Sequence, residues 1–146
     1  MIYGFTHTNK GHWNICHIPL LPVTGTPTPG DYCSPFSHER ESAAPGYYQV
    51  FLDRYGVDAQ LSSTLRCAFH KYTYPAGAAP AVLADLQRSN EHVRAWDIRK
   101  EGDNVFAGWQ QTGEKMYFYA VANRPVTGIE PVLSLIHISE PTRLQL

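Results

Sequence analysis

The clearest pattern along the chain is an alternation of apolar and polar residues from position 57 to position 69. A repeat of two residues places the apolar side chains on one face of a strand, because successive side chains point to opposite faces. The pattern therefore predicts a long, half-buried strand or a bent pair of strands. The residues expected on its buried face are Val57, Ala59, Leu61, Leu65, Cys67 and Phe69.

Shorter strand-like stretches occupy much of the remaining chain. Residues 47–53 read YYQVFLD and favour a strand, and Gly56 in the RYGV that follows marks a hairpin turn. The apolar stretch ICHIPLLPV, residues 15–23, contains Pro19 and Pro22. Proline cannot donate to a strand ladder, so this stretch is predicted as an edge or irregular strand.

The second half of the chain continues the same pattern. HVRAWDIR (92–99) and KMYFYAVAN (115–123) predict strands, with turns at 101–104 and 112–114. AVLADLQR (81–88) also contains helix-forming residues, but it is short enough for a strand and is interpreted as one.

These elements together indicate the fold class. Short strands, eleven glycines, eleven prolines and no long amphipathic helix predict an all-β fold, an antiparallel β-sandwich. The length of 146 residues suits one domain.

Composition and charge narrow the possible partners. The net charge of -1 gives no reason to expect nucleic acid or an anionic membrane surface. No apolar run reaches the roughly 18 residues that a membrane helix needs. No nucleophile elbow, phosphate-binding loop or dinucleotide fingerprint is present.

The three cysteines, Cys16, Cys33 and Cys67, are an odd number without CxxC spacing. This predicts free thiols, with one disulfide and a leftover thiol as the alternative.

The end of the chain has a different origin in our interpretation. LSLIHISEPTR, residues 133–143, resembles the translation of a common sequencing adapter. Its alternating apolar residues would otherwise predict a strand. We treat residues 133–146 as a non-native tail and residues 1–132 as the native part, expected to be a fragment cut by the end of a sequence read.

Three blocks of residues carry a family resemblance. The first, GFTHTNKGHWNICHIPLLPVTG (4–25), resembles a Gly-Phe-Ser-His-Thr loop that leads into a strand ending in Pro-x-Thr-Gly. The second, residues 34–75, is similar to a Phe-Ser-His-Glu loop, a Pro-Gly-Tyr-Tyr strand and a strand ending in an aromatic-His-x-Tyr-x-Phe/Tyr-Pro segment. The third, residues 108–126, is weaker. In this order the blocks resemble the N-terminal domain of the glycoside hydrolase family 92 α-mannosidases.

The resemblance implies a larger enzyme. Members of this family join a β-sandwich to a large helical barrel and are calcium-dependent, exo-acting, inverting enzymes, with the substrate between the two domains. The chain is then expected to be an incomplete sandwich that lacks strands at its N-terminus and the whole C-terminal helical-barrel catalytic domain. Alone it should be poorly soluble or molten, and inactive. Its expected partners are an α-mannose-containing glycan and the helical domain, and its expected location is secreted or periplasmic.

The resemblance also implies a role for two polar loops. Sugar sites need fixed hydrogen-bonding groups and an aromatic face, placed on loops that a rigid scaffold holds. The residues predicted to bind substrate are His7, Asn9, Lys10, His12 and Trp13 in the first loop, and His38 and Glu39 in the second. In the alternative interpretation these residues satisfy one another and the turn backbone, and Trp13 closes one end of the sandwich.

Metal and catalytic groups are not assigned to this chain. The spacing of His7, His12, Cys16 and His17 matches no standard zinc pattern. Calcium is implied by the family alone, with its ligands expected mostly in the helical domain. Inversion needs two carboxyl groups about 6.5–9.5 Å apart. Glu39, Glu41 and Asp31 are instead interpreted as solvated loop carboxylates. The alternative function is a stand-alone carbohydrate-binding or structural β-sandwich without enzyme activity.

Overall fold

A computed structural model describes residues 1–6, 16–132, 135–139 and 143–145, and the side chains of residues 1–6 and 16–130. Within these ranges the chain forms twelve strands and one 3₁₀ turn, His38–Arg40. The strands are β1 Leu20–Thr24, β2 Glu41–Ala44, β3 Tyr47–Leu52, β4 Val57–Ser63, β5 Ala68–Thr73, β6 Pro80–Ala84, β7 Ala95–Gly102, β8 Val105–Gln111, β9 Lys115–Ala122, β10 Ile129–Val132, β11 Leu135–Ser139 and β12 Arg143–Gln145. No helix in the described part is long and apolar enough to span a membrane.

The strands form two antiparallel sheets. One has the order β1-β6-β11-β10 and the other has the order β2-β3-β4-β5-β12-β9-β8-β7. Leu20 of β1 and Val82 of β6 belong to the same buried cluster as Leu52 of β3 and Phe106 of β8, all without exposed surface. Burial of such side chains is the main stabilising term in folding, and here it joins the two sheets face to face. The predicted all-β antiparallel sandwich is confirmed.

The alternating stretch at 57–69 forms two strands, as in the bent-pair alternative, and part of its facial assignment was wrong. Val57 and Ala59 face the core as predicted. The turn at residues 64–67 then reverses the chain and changes which positions point inward. Leu65 in this turn is 94% exposed and Phe69 is 43% exposed. On β4 the odd-numbered residues point inward, whereas on β5 the even-numbered His70 and Tyr72 do so.

Most other predicted strands are present with shifted ends. The stretch at 92–99 corresponds to β7, Ala95–Gly102, and the stretch at 115–123 to β9. The ambiguous stretch at 81–88 is strand β6 followed by a turn. Gly56, with φ +65°, lies in the turn between β3 and β4, where a left-handed backbone favours glycine.

The position of β1 agrees with its prolines. Pro22 lies within β1, which forms one edge of the four-stranded sheet. An edge strand leaves one side of its backbone without a ladder partner, so proline is tolerated there. The cysteines also agree with the prediction, since Cys16, Cys33 and Cys67 form no disulfide with one another.

The tail residues that the structure describes are paired as strands. β11 lies between β6 and β10, and β12 lies between β5 and β9. β12 is therefore the described link between the two halves of the eight-stranded sheet. Strand pairing is made by backbone groups, so it does not decide whether the tail sequence is native. The non-native assignment stays a prediction.

Candidate functional site

The first predicted loop lies largely outside the described residues. His7, Asn9, Lys10, His12 and Trp13 all fall within the undescribed segment 7–15. The ends of this segment are described and lie close together. Phe5 and Leu20 exchange two backbone hydrogen bonds of 2.8 and 3.0 Å. Thr6 and Cys16, on either side of the segment, both line one cavity of about 390 Å³. We call this space the loop cavity.

The loop cavity combines aromatic faces with polar groups. Tyr3 and Tyr48 contribute rings, and Arg88 and Asn90 contribute a guanidinium and an amide. The Arg88 guanidinium carbon lies 3.9 Å from the centre of the Tyr3 ring, a cation–π contact. Rings that can stack on a sugar, next to several hydrogen-bond donors, are the chemistry expected of a carbohydrate site.

A buried hydrogen-bonded chain supports Arg88 from behind. Its Nη1 lies 3.5 Å from the Tyr32 hydroxyl, which donates to the Asp85 carboxylate. Burial, and then the hydrogen bond to Asp85, raise the pKa of Tyr32, so this hydroxyl stays protonated at neutral pH. Tyr32 therefore donates to Asp85 and can accept from Arg88, which restrains the guanidinium beside the cavity.

The chain that returns from segment 7–15 is held by buried polar side chains. His17 Nε2 lies 2.9 Å from Thr112 Oγ1, and both residues are almost fully buried. The Ile18 amide donates to Gln110 Oε1 at 2.8 Å. The Gln110 side-chain amide in turn donates to two backbone carbonyls, those of Leu86 at 2.8 Å and Arg88 at 3.0 Å.

Residues Cys16 to Leu20, which we call the return arm, have an unusual backbone. Cys16 has φ +57° and Ile18 has φ +52°. The left-handed region is unfavourable for residues other than glycine, and it is rarest for β-branched side chains such as isoleucine. Such conformations persist when the surroundings fix them, and they concentrate at functional sites. The contacts of Ile18 with Gln110 and of His17 with Thr112 supply that constraint.

The second predicted loop is fully described. His38 and Glu39 lie in the 3₁₀ turn, which begins after Ser37, whose Oγ accepts a 3.2 Å hydrogen bond from the Glu39 amide. The His38 ring packs edge-on against Phe36 with centroids 5.1 Å apart, and its Nδ1 is hydrogen-bonded to Glu41. Both His38 and Glu39 are exposed, which leaves them available for contacts outside the sandwich.

One side chain connects the two loops. Tyr48 donates to Glu41, the partner of His38, and its ring packs edge-on against Phe5 with centroids 6.5 Å apart. Tyr48 also lines the loop cavity. The structure therefore links His38, through Glu41 and Tyr48, to Phe5, which lies just before segment 7–15.

Two of the carboxylates weighed for catalysis, Glu41 and Asp31, do not have the properties of a general acid. Hydrogen bonds from Tyr48 and then from His38 lower the pKa of Glu41. Arg54 lowers the pKa of Asp31 through a 2.9 Å hydrogen bond and its charge. A general acid that works near neutral pH needs a raised pKa, so neither group suits that role.

The described residues contain no cluster of carboxylates of the kind that binds calcium. No group of three or more His, Cys, Asp or Glu side chains lies within reach of one ion in the part of the chain that the structure describes. Calcium needs several oxygen ligands around one point, so no step of the chemistry is assigned to a metal here. Of the histidines weighed as zinc ligands, His7 and His12 lie outside the described residues, and His17 is hydrogen-bonded to Thr112.

Tyr3, Arg88, Asn90 and Gln110 were not predicted as site residues. Arg88 and Asn90 lie four and six residues after the end of β6, and the sequence analysis had placed Arg88 at the end of a predicted strand, residues 81–88. Gln110 had a better signal, since the two-residue period of β8 places it on the same face as Phe106, which is fully buried. A polar side chain at such a position needs buried partners.

Residues 1–136 match the family model described as the glycosyl hydrolase family 92 N-terminal domain. The comparison with curated proteins gave no significant match. Among solved structures, the family GH92 α-mannosidase BT3965 from Bacteroides thetaiotaomicron matches with a TM-score of 0.79 and 20% identity, over 90% of this chain and 24% of that protein. The same enzyme is also solved in complex with mannoimidazole.

Two further solved structures are similar. The GH92 family glycosyl hydrolase ccman5 matches with a TM-score of 0.79 and 23% identity, over 97% of this chain and 25% of that one. The GH92 inverting mannosidase BT2199 from Bacteroides thetaiotaomicron VPI-5482 matches with a TM-score of 0.67 and 21% identity, over 88% of this chain and 19% of that one. At these identities the likeness establishes the fold. The chain spans about a quarter of the length of BT3965 and ccman5.

Proposed function

The chain belongs to glycosyl hydrolase family 92, whose N-terminal domain model it matches, and we propose that it serves as the substrate-binding sandwich of an exo-acting, inverting α-mannosidase. In this proposal the domain binds and orients a terminal mannose of a glycan, and segment 7–15 forms one wall of the pocket. Acid–base chemistry belongs to a helical partner domain. The similarity to enzymes described as α-mannosidases, one of them solved with a mannose analogue, supports the choice of sugar.

The observation that carries the proposal is the placement of the loop cavity. The segment predicted to bind sugar leaves and rejoins the sandwich at the cavity rim, through Thr6 and Cys16. The cavity wall then adds Tyr3, Arg88 and Asn90. Polar groups from the segment and from this wall can therefore converge on one ligand, which is the arrangement that orients a sugar in a site.

Glu41 and Asp31 do not fit the role of the general acid. The carboxylates of Glu41 and Asp31 are held ionised by Tyr48 and Arg54, respectively. An inverting mechanism needs one protonated and one ionised carboxyl group on opposite sides of the bond. The general acid is therefore assigned to groups outside Glu41 and Asp31, and in this proposal the chain positions the sugar while the helical partner domain cleaves the bond. The secreted or periplasmic location stays a prediction.

The test uses the longer enzyme that carries this domain, with α-mannoside hydrolysis as the readout. His12→Ala and Trp13→Ala should each lower kcat/KM on the order of tenfold or more, because each removes a contact with the bound sugar. Arg99→Ala on β7, where Arg99 is paired with Glu101, is the control and should leave kcat/KM unchanged. Full activity in both loop variants would show that the pocket assignment is wrong.

One observation favours the second candidate, a carbohydrate-binding sandwich without enzyme activity. Tyr117 and Tyr119 lie on the same face of β9 and are 69% and 55% exposed. Trp109 is directly opposite Tyr117 in the sheet, with the Lys115 ammonium 3.6 Å from its ring centre. Exposed rings on one face of a sheet can stack on a glycan chain. Mannan binding by the chain alone that is lost in Tyr117→Ser and Tyr119→Ser, but kept in Trp13→Ala, would favour this function.

A further inference from the structure

The imidazole of His38 is exposed, yet it is held in place by two contacts. Its side chain is 85% exposed. The ring packs edge-on against Phe36, and its Nδ1 is hydrogen-bonded to Glu41. The turn that carries it is closed by Ser37, whose Oγ accepts from the Glu39 amide. An exposed side chain ordinarily keeps its rotamer freedom, and fixing it costs conformational entropy. The contacts of His38 therefore hold the ring in one orientation at the surface.

Glu41 determines which ring nitrogen of His38 carries the proton. The Tyr48 hydroxyl donates to Oε1 of Glu41 at 2.5 Å, and the His38 ring contacts Oε2. The hydrogen bond from Tyr48, and then that from His38, lower the pKa of Glu41, so its carboxylate is ionised at neutral pH and can only accept. Nδ1 of His38 therefore carries the proton of the hydrogen bond, and in the neutral ring Nε2 is left as an acceptor.

The support of His38 continues into the sandwich. Glu41 is the first residue of β2, and its side chain is only 22% exposed. Tyr48, on the neighbouring strand β3, packs its ring against Phe5 and lines the loop cavity. Within residues 1–6 and 16–130, Nε2 of His38 has no hydrogen-bond partner. A carboxylate on one ring nitrogen is the device that orients a histidine whose other nitrogen contacts a ligand.

We propose that Nε2 of His38 accepts a hydrogen bond from a hydroxyl group of the terminal mannose, and that Glu41 and Tyr48 are positioning residues that keep it an acceptor. A sugar hydroxyl is a neutral donor, which suits an uncharged acceptor of fixed direction. This inference rests on the proposed function, since it takes mannose as the ligand of this domain. To that function it adds the contacting atom and the cause of its orientation. Glu41, interpreted from the sequence as a solvated loop carboxylate, acts here through His38.

Two substitutions separate the ring nitrogens of His38. The amide of asparagine reaches the position of Nδ1 and the amide of glutamine reaches that of Nε2, so only His38→Asn removes the proposed contact. The assay is hydrolysis of methyl α-mannopyranoside by the longer enzyme that carries this domain. His38→Asn should raise KM about tenfold and leave kcat unchanged, because the contact is made in the ground state and in the transition state alike. His38→Gln should recover most of this loss, and equal losses in the two variants would overturn the proposal.

His92 provides the matched control for these variants. It is an exposed histidine ahead of β7, and His92→Asn and His92→Gln should both leave KM unchanged. Equal changes of KM at the two histidines would contradict a specific contact at His38. Melting temperatures of the same variants show whether His38 instead contacts the helical partner domain. A lower melting temperature with the parent's KM in both His38 variants would place the ring in a domain interface and refute the sugar contact.

The role of Glu41 is tested by a double-mutant cycle. Glu41→Gln introduces a carboxamide that can donate to Nδ1, so the proton can move to Nε2, which then no longer accepts. KM should rise severalfold in Glu41→Gln, and less in Tyr48→Phe, which removes only one hydrogen bond of the carboxylate. Both effects should vanish in the His38→Asn background, since they act through the ring. Effects of the same size in both backgrounds would show a structural role that is independent of His38.

Trp13→Ala in the same assay separates failure of this inference from failure of the proposed function. If His38→Asn keeps the parent's KM while Trp13→Ala is impaired, the contact at His38 is wrong and the domain still binds the sugar. If Trp13→Ala and His38→Asn both behave like the parent, the proposed function fails and this inference fails with it. A raised KM in His38→Asn, recovery in His38→Gln and an effect of Glu41→Gln that needs His38 together support the proposal.

Discussion

Tyr48 donates a hydrogen bond of 2.5 Å to Glu41 across the hairpin formed by β2 and β3. The same carboxylate is hydrogen-bonded to His38, and the Tyr48 ring packs against Phe5. Through its hydroxyl and its ring, Tyr48 thus connects the second loop to Phe5, which lies just before segment 7–15.

The hydrogen bond predicts a dependence of stability on pH. The contact lowers the pKa of Glu41 below its ordinary value of 4.5, so its stabilising effect is present above about pH 4.5 and is lost as the pH falls through the lowered value. Tyr48→Phe should therefore destabilise the chain at pH 7, and the difference from the parent should shrink toward pH 3. Urea unfolding at both pH values measures this difference.

The neighbouring tyrosine provides the control for this measurement. Tyr47 donates to Gln49 on the exposed side of the same strand, a contact without a charged partner. Tyr47→Phe should produce a small change in unfolding free energy that is the same at pH 7 and pH 3. A Tyr48→Phe effect that does not vary with pH would mean that Glu41 is not the partner that matters.

A second prediction concerns the support behind Arg88. Tyr32→Phe removes the hydroxyl that donates to the buried Asp85 carboxylate, and a hydrogen bond to a charged group contributes about 2 kcal/mol. Tyr55→Phe removes a 2.6 Å bond to the Tyr32 backbone carbonyl, a neutral acceptor, and should cost about 1 kcal/mol. Urea unfolding compares the two losses. Equal losses would show that the Asp85 contact carries no extra stabilisation from charge.

The sequence predicted strand content well because alternation is a local signal. It was wrong where a turn intervened: the chain reverses at residues 64–67, and this placed Leu65 in solvent and moved the inward positions of β5 to His70 and Tyr72. A two-residue period cannot register such a reversal when the apolar residues continue in step across the turn.

The supporting residues of the site were harder to predict than the fold. Ile18 contacts Gln110, 92 positions later, and His17 contacts Thr112, 95 positions later. Neither pair leaves a local pattern, since each joins the segment before β1 to residues at the end of β8 or just after it. The loops themselves were selected by family resemblance. Segment 7–15 lies outside the described residues, so its role stays a prediction, and nothing yet tests that of His38 and Glu39.

A third prediction tests the close approach of β7 and β8. A Cβ at Gly108 would lie 2.1 Å from the Asp97 carbonyl oxygen and 3.0 Å from the Ile98 Cα, so the backbone would have to move. Gly108→Ala should therefore cost about 3 kcal/mol or more of unfolding free energy. Gly102→Ala, in the same hairpin, meets only Val105 at 3.6 Å and should cost less than about 1 kcal/mol. Urea unfolding of both variants measures the two losses of unfolding free energy. Similar losses would contradict the close approach of β7 and β8.

The last prediction concerns residues 133–146. β12 joins β5 to β9, and β11 lies between β6 and β10, so deletion of the tail would leave strand edges without partners on both sheets. Unpaired edges destabilise a sheet and promote association. A chain that ends at Val132 should therefore unfold at a lower temperature and bind more hydrophobic dye than the 146-residue chain.

Replacement of the tail separates pairing from native side-chain packing. If these residues are non-native, as their resemblance to an adapter suggests, they contribute backbone hydrogen bonds and no evolved side-chain fit. An unrelated sequence with the same alternation of apolar and polar residues should then restore the melting temperature of the 146-residue chain. A replaced tail that melts as low as the deletion would mean that residues 133–146 supply specific packing, and the non-native interpretation would be wrong. Thermal melts of the three chains at equal concentration make this comparison, since association also shifts the apparent midpoint.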